Sequence, residues 1–236
     1  MLFRSTATWT LAANLTIGSS RTCTFTWGTL ALSSFTLSTG LFSSNNSNTR
    51  TLNFGTGKIV LTSATTSTVW TTATVTGLTI SGTPLVECQG GGSAITKTIN
   101  TGTLSEANAI SFSLLETTGT ATYAFTASNV VKNLIINGAQ TLSNIAISIY
   151  GNFTHSTSNG TTTFTAGANA WTFAATSGSY TLTPVAATTY DFPWTFGSTS
   201  TTATWTLAAN LTIGGSRDRK STRLNSSHIP LSRMPS

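Results

Sequence analysis

The sequence has few of the residues on which helices, metal sites and most catalytic sites depend. Only 7% of its 236 residues are charged, and it contains two cysteines, two histidines, two methionines and five prolines. The helix formers Glu, Lys, Arg and Met are scarce, which argues against a helical protein. No apolar run approaches the roughly 18 residues of a membrane-spanning helix, and the opening "MLFRSTATWT" lacks the hydrophobic stretch of a signal peptide. We therefore expect no membrane partner.

Cysteine is present only as Cys23 and Cys88, each without a second cysteine or a histidine nearby. This spacing indicates neither a metal site nor a disulfide framework. We interpret both as small apolar residues of the core, and we predict no metal and no cofactor.

Charge is also scarce outside the end of the chain. The formal net charge is +6, but five of the eleven Lys and Arg residues follow Ser216. There, "DRKSTRLNSSH" and "SRMPS" match, codon by codon, the two constant parts of a short-read sequencing adaptor, with a gap between them that fits its variable index. We therefore interpret residues 218–236 as a non-native, disordered tail rather than a nucleic-acid-binding segment. Residues 1–217 are expected to be a fragment of a longer protein with no nucleic-acid partner.

Threonine, by contrast, is abundant, with 53 residues. Threonine and the aromatic residues favour β-strands. The composition therefore predicts an all-β protein.

A long repeat is visible in the sequence. "TATWTLAANLTIGSSR" at 6–21 returns at 202–217 with one difference, where Gly215 replaces Ser19. The repeat is either a genuine long tandem unit or the product of a misassembled read.

Within this unit, short apolar alternations are separated by Gly, Ser or Asn. In "GTLALSSFTLSTG", Leu30 shares a face with Leu32 and Phe35 with Leu37, and two serines form a corner between them. About nine coils of roughly 22 residues would fill the unit, which is typical of a solenoid. We predict a parallel β-solenoid (β-helix) with rungs of about 20–24 residues stacked about 4.8 Å apart. Tandem antiparallel β-sandwiches are the alternative, because their strand spacing is similar.

Three segments carry a resemblance to a known group of proteins: "SSNNSNTRTLNFGTGKIVLT" at 43–62, "WTFAATSGSYTLT" at 171–183 and "DFPWTF" at 191–196. They resemble repetitive Thr/Gly-rich proteins of environmental bacteriophages, of the tail-fibre-like or virion-surface β-helix type. The resemblance extends over most of residues 6–217 and implies a virion-surface location, but these phrases contain no catalytic motif.

The carboxylates before residue 217 are Glu87, Glu106, Glu116 and Asp191. Glu106 follows Glu87 at a distance close to one rung, so the two could form the acid pair of a polysaccharide-cleaving enzyme. Unpaired surface carboxylates are the simpler interpretation. His155, in "GNFTHSTSNG", is expected to be exposed in a polar turn, without a nucleophilic triad. We predict no catalytic residue.

Two glycine-rich segments are interpreted as loops. "FGTGKIV" at 54–60 lacks the Ser or Thr that follows the lysine of a phosphate-binding loop, since Ile59 follows Lys58. "QGGGS" at 89–93 has no helix after it. Neither is expected to bind a cofactor.

Tryptophan and Thr-X-Thr patterns suggest two kinds of surface. The six tryptophans could form a sugar-stacking platform if they shared an outer face, although most are expected in the core or at corners. Paired threonine rows on a flat solenoid face could bind ice. The spacing of Thr8, Thr24 and Thr74 is uneven, whereas that of Thr163, Thr183 and Thr204 is nearly regular.

These observations predict a non-enzymatic structural or adhesive repeat protein on a virion surface or in the extracellular space. Its expected partners are a host-surface glycan or other virion proteins, and a homotrimer is one possible assembly. The alternatives are an autotransporter-like bacterial surface adhesin, an ice-binding Thr-X-Thr solenoid and a tailspike-type enzyme that cleaves polysaccharide.

Overall fold

The computed structural model describes residues 1–116, 119–126, 129–143, 145–197 and 202–214. The adaptor-like tail, 218–236, and the last three residues of the second repeat copy lie outside this part of the chain. The described residues form 27 short strands and one 3-10 helix, Glu106–Asn108. All recorded strand pairings are parallel and join each rung to the next, for example Leu15 to Leu37. The protein is an all-β parallel solenoid, and the antiparallel sandwich alternative is wrong.

The chain winds around three faces in strict order. One turn around the three faces is one rung, and the rungs are numbered from rung 1, which begins at Leu2. Face 1 holds an eight-stranded sheet, followed along the chain by the separate pair β24 and β27. Its strands are β1 (Leu2–Phe3), β4 (Thr22–Phe25), β7 (Leu41–Ser43), β10 (Ser67–Thr71), β13 (Gly92–Asn100), β15 (Gly119–Phe125), β18 (Thr141–Leu142), β21 (Thr163–Phe164), β24 (Thr189–Tyr190) and β27 (Thr212–Ile213).

Face 2 is divided into two four-stranded sheets, because the 3-10 helix takes the place of its strand in rung 5. The first sheet contains β2 (Thr8–Thr10), β5 (Gly28–Ala31), β8 (Arg50–Asn53) and β11 (Leu78–Ser81), and the second contains β16 (Asn129–Val131), β19 (Ile147–Ile149), β22 (Trp171–Phe173) and β25 (Trp194–Phe196). At the break, Asn108 Oδ1 accepts a hydrogen bond from the Ile80 amide at 3.0 Å. The side chain thus supplies one acceptor that a paired strand would have offered.

Face 3 is one continuous sheet of nine strands. They are β3 (Leu15–Thr16), β6 (Thr36–Thr39), β9 (Lys58–Leu61), β12 (Leu85–Cys88), β14 (Ser111–Glu116), β17 (Leu134–Gly138), β20 (Phe153–Ser156), β23 (Ser179–Thr183) and β26 (Thr204–Leu207). The register aligns one apolar residue from every rung in a single inward column: Leu15, Leu37, Ile59, Val86, Phe112, Leu134, Phe153, Leu182 and Leu207.

This column gives the length of a rung. Its steps run from Leu15 to Leu207, so the mean rung has about 24 residues, in agreement with the predicted size. Individual rungs vary: the rung that brings Asn129 onto Ile147 is much shorter than the one that brings Ser67 onto Lys97. The extra residues lie in the corners and in the nine-residue strand β13, whose register shifts once against β10 and once against β15.

The core is one column of apolar side chains that runs through all three faces. The predicted alternation is confirmed in "GTLALSSFTLSTG" for Leu30, Leu32 and Leu37, which are fully buried, whereas Phe35 is only partly buried. Aromatic rings stack between rungs, as Phe42 does on Trp70 with centroids 4.6 Å apart. Such stacking adds to the burial of apolar area that stabilises each rung against its neighbours.

The corners of successive rungs lie directly on one another. Ser33 and Gly55 adopt positive φ angles of 59° and 55° at the corner between faces 2 and 3. A Cβ placed on Gly55 would lie 2.2 Å from the Ser33 carbonyl oxygen. This position therefore requires glycine both for its conformation and for lack of space.

The two near-identical segments occupy different faces. "TWT" of the first copy is β2 on face 2, whereas the same residues begin β26 on face 3. Both copies keep the same local form, in which a strand is followed by a corner and a second short strand. The segment therefore determines that the chain turns a corner between two faces, but not which of the three corners it forms.

Candidate functional site

The carboxylates are dispersed and each has its own partners. Glu87 forms a surface ion pair with Lys58, with Nζ and Oε2 2.9 Å apart. Glu106 lies in the 3-10 helix, and its Oε2 accepts hydrogen bonds from the Thr176 amide and hydroxyl at 3.2 and 2.8 Å. The structure does not bring Glu87 and Glu106 together as an acid pair. Asp191 lies between β24 and β25, away from both in the order of strands.

Glu116 contradicts the prediction of unpaired surface carboxylates most clearly. Its side chain is completely buried and forms an ion pair with Lys97, whose side chain is 1% exposed. Tyr123 donates a hydrogen bond to the same Glu116 oxygen at 2.6 Å. Lys97 Nζ also donates to the carbonyl oxygens of Gln89, at 3.1 Å, and Gly90. The second oxygen of Glu116, Oε2, has no hydrogen-bond partner among the described residues.

This buried ion pair lies in the rung where the 3-10 helix interrupts face 2. Lys97 stacks in register on Tyr123, and Glu116 ends the neighbouring strand β14 in rung 5, the rung in which face 2 has no strand. Cys88 lies close by and is fully buried, as predicted. Burial raises the pKa of its thiol to about 12, with the nearby Lys97 charge acting in the opposite direction. At neutral pH this thiol is protonated and therefore a poor nucleophile.

His155 is buried, so its predicted exposure is wrong. Its Cα is in register with that of Ile136, which continues the inward column of Leu61, Cys88 and Leu114. Nδ1 lies 2.8 Å from the Tyr190 hydroxyl, and Nε2 has no partner among the described residues. Burial lowers the pKa of His155 to about 4. The ring is neutral at physiological pH and fills space in an aromatic cluster.

Arg50 is a second fully buried cation. All five of its N–H groups are used: Nε bonds to the Ser44 hydroxyl, and the two terminal nitrogens bond to four backbone carbonyls, those of Ser44, Asn48, Thr74 and Thr76, at 2.5–2.9 Å. Burial lowers the pKa of the guanidinium. The side chain joins the face 1–face 2 corners of rungs 3 and 4, and no carboxylate takes part in these bonds.

The tryptophans do not form a platform. Trp70, Trp171 and Trp194 are buried in the core, and Trp9 and Trp205 are partly buried. Trp27 differs, since it is 43% exposed at the corner between faces 1 and 2. It lines a groove of about 420 Å³ with Arg4, Thr26 and Asn48.

A second, smaller groove of about 250 Å³ lies at the corner between faces 2 and 3 and is lined by Ser34, Thr36, Thr56, Gly57, Lys58, Thr83 and Leu85. Lys58, its charged residue, already pairs with Glu87.

Threonines form ladders, but the near-regular spacing of Thr163, Thr183 and Thr204 does not correspond to one of them. Thr163, Thr183 and Thr204 pair with Thr141, Thr154 and Ser179 respectively, so they do not make one row. The first sheet of face 2 does contain an outward row of four stacked threonines, at positions 8, 29, 51 and 79. The parallel row beside it reads Thr, Ala, Asn, Ser, at positions 10, 31, 53 and 81. A complete double Thr row is therefore absent from this sheet.

The glycine-rich segments are structural. Residues 54–57 turn the chain between β8 and β9, as predicted. The loop at Gln89 is shorter than expected, because Gly92 already begins β13. Its Gln89 and Gly90 carbonyls receive the Lys97 ammonium group.

The described ranges contain no group of three or more His, Cys, Asp or Glu residues arranged to hold a metal ion. They also contain no helix that is long and apolar enough to cross a bilayer. Comparison of the chain with protein-family models, curated proteins and solved structures finds no match.

Proposed function

We propose that the chain is a non-enzymatic structural or adhesive scaffold, part of a repetitive fibre on a phage particle or, as the alternative, on a bacterial surface. The observation that carries this proposal is the nine-stranded face 3, whose inward column is apolar in every rung. Nine rungs at about 4.8 Å make a rigid rod roughly 40 Å long. Such a rod presents flat faces on which many weak polar contacts can add up to firm binding.

The chemistry of the surface supports display rather than catalysis. Outward positions carry mostly Thr, Ser and Asn, which offer hydrogen bonds without net charge. The carboxylates are engaged in structural contacts, as in the ion pair of Glu87 with Lys58 and that of Glu116 with Lys97. Partners of such a surface would be a host-surface glycan or other virion proteins, and the assembly could be a homotrimer.

The experiment is a binding assay with the purified chain on intact bacterial cells and on purified cell-surface polysaccharide. Saturable binding without release of reducing ends supports the adhesive scaffold. If the chain hydrolyses the polysaccharide, and Glu87→Gln or Glu106→Gln abolishes that hydrolysis, the enzyme alternative replaces the adhesive scaffold. Absence of cell binding, together with absence of the protein from purified virions, would refute it.

Ice binding is the second candidate, favoured by the single row of Thr8, Thr29, Thr51 and Thr79. A flat row of hydroxyl and methyl groups at the rung spacing can order water. Because the neighbouring row is mixed, we expect no thermal hysteresis from this face. Clear hysteresis that is lost in Thr51→Tyr would favour ice binding over adhesion.

A further inference from the structure

The groove at the corner between faces 1 and 2 joins the first three rungs. Arg4 comes from rung 1, Thr26 and Trp27 from rung 2, and Asn48 from rung 3. Its volume of about 420 Å³ is within the range of sites that hold small organic ligands. We call it the Trp27 groove.

The indole of Trp27 gives the groove an apolar wall. With 43% of its surface exposed, it is the most accessible of the six tryptophans, five of which are buried or packed against the core. An exposed indole offers a flat face for stacking and an N–H for hydrogen bonding. The C–H face of a pyranose ring matches such a surface in size and polarity.

The polar wall is held rigidly. Asn48 Nδ2 donates to the Thr26 carbonyl at 3.0 Å, and the Thr26 hydroxyl donates to the Phe3 carbonyl at 2.7 Å. From inside the solenoid, buried Arg50 donates to the Asn48 carbonyl at 2.9 Å. Three rungs are thus joined behind the groove, so a ligand would meet groups that are already in place.

The charge at this end of the solenoid selects for an anion. No Asp or Glu precedes Glu87 in the sequence, whereas Arg4, Arg21, Arg50 and Lys58 do. Arg50 is buried and Lys58 is paired with Glu87. Arg4 is exposed and makes no hydrogen bond or ion pair within the described part of the chain. Its guanidinium is available for a carboxylate, with which it can form two parallel hydrogen bonds.

We propose that the Trp27 groove binds an acidic saccharide, with a pyranose ring stacked on Trp27 and its carboxylate on Arg4. Asn48 and the Thr26 hydroxyl are placed to bond ring hydroxyls. A nucleic acid is a poorer fit, because its phosphates need several cations along one face and the groove has one. This inference rests on the proposed adhesive function and specifies the class of glycan.

The test is titration calorimetry on the full chain with two matched pairs of probes. The acidic probes are a galacturonic acid oligomer and sialyllactose, and the neutral ones are the carboxyl-reduced oligomer and lactose. We expect Trp27→Ala to weaken binding of the acidic probes at least tenfold. Arg4→Gln should weaken the acidic probes about tenfold and leave any neutral binding unchanged. Arg21→Gln is the charge-matched control and should have little effect, because Arg21 lies before β4, at a different corner.

Four outcomes overturn the inference. Equal losses in Arg4→Gln and Arg21→Gln would mean unspecific attraction of anions, and equal affinity for acidic and neutral probes would remove the role of the carboxylate. Unchanged binding in Trp27→Ala would place the sugar elsewhere. If no probe binds but the wild-type chain still adheres to cells, the groove assignment fails and the adhesive function stands. If cell adhesion is also absent, the proposed function fails as well.

Discussion

The buried ion pair of Lys97 and Glu116 makes the sharpest prediction about stability. Replacing Lys97 by Met removes the cation and leaves the Glu116 carboxylate in the core with the Tyr123 hydroxyl as its remaining partner. Removing one partner of a buried pair costs about 3–5 kcal/mol.

We therefore expect Lys97→Met to lower the free energy of unfolding by about 3–5 kcal/mol at pH 7. The double variant Lys97→Met with Glu116→Leu has no buried charge and should recover part of the loss, although the Gln89 and Gly90 carbonyls still lack the ammonium group. Glu116→Gln should cost less than Lys97→Met, because the ammonium group keeps the Gln89 and Gly90 carbonyls.

The measurement is urea unfolding followed by circular dichroism, with hydrogen exchange of the β13 and β15 amides to detect local opening. Lys58→Met is the matched control, because Lys58 also pairs with a glutamate but is 38% exposed in its side chain. It should cost at most about 1 kcal/mol. A loss in Lys97→Met that is equally small would refute the reasoning.

Three further predictions concern single positions. Burial lowers the pKa of His155 to about 4, so below about pH 6.5 the unfolded chain binds a proton at this side chain while the folded chain does not. Stability should therefore fall by about 3 kcal/mol between about pH 6.5 and pH 4. His155→Phe should remove that part of the acid sensitivity, seen as a flatter plot of urea midpoint against pH. Arg50→Lys should cost about 3 kcal/mol in urea unfolding, because an ammonium group cannot reach all the acceptors that the guanidinium joins. Gly55→Ala should cost about 2 kcal/mol or more, whereas Gly18→Ala, whose added Cβ would be 3.8 Å from its nearest neighbour, should be tolerated in the same thermal melts.

Each of these has a contrary result. If the urea midpoint falls equally with pH in His155→Phe and in wild type, the carboxylates alone govern acid unfolding. Full stability of Arg50→Lys would show that the four carbonyls and the Ser44 hydroxyl at these corners do not need all five N–H donors of the guanidinium. Equal melting temperatures for Gly55→Ala and Gly18→Ala would show that the corners are not in close contact.

The alternation of apolar residues predicts the strands and their inward faces, because a residue's parity within a strand decides whether it faces the core. The repeat and the coil length of roughly 22 residues then favour a solenoid over sandwiches. Leu30, Leu32 and Leu37 follow the parity rule. The same rule could have located the buried polar groups. His155 has the parity of buried Phe153, and Lys97 has that of buried Ile99. The prediction of an exposed His155 rests on its polar neighbours, and it is wrong because parity, not polarity, decides which side chains face the core.

Contacts between rungs could not be predicted in the same way. Rungs differ in length, so spacing in the sequence does not tell which residues stack. Glu87 and Glu106 are separated by nearly the length of a rung yet lie on different faces, whereas Glu106 bonds to Thr176, 70 residues on. The two near-identical segments on different faces show that even identical local sequence leaves the face undetermined.

This ambiguity gives a reason for polar side chains in the core. Strands built from alternating Thr and apolar residues resemble one another, so a slip of two residues would keep the apolar face inward at little cost. Such a slip would separate Lys97 from Glu116, Arg50 from the carbonyls of rung 4, or His155 from Tyr190. Each would leave a polar group buried without a partner, at a cost of about 1–3 kcal/mol or more. Arg50, Lys97 and His155 lie in rungs 3, 5 and 7. Their polar contacts therefore fix the register at every second rung of a stack whose apolar core alone would permit several alignments.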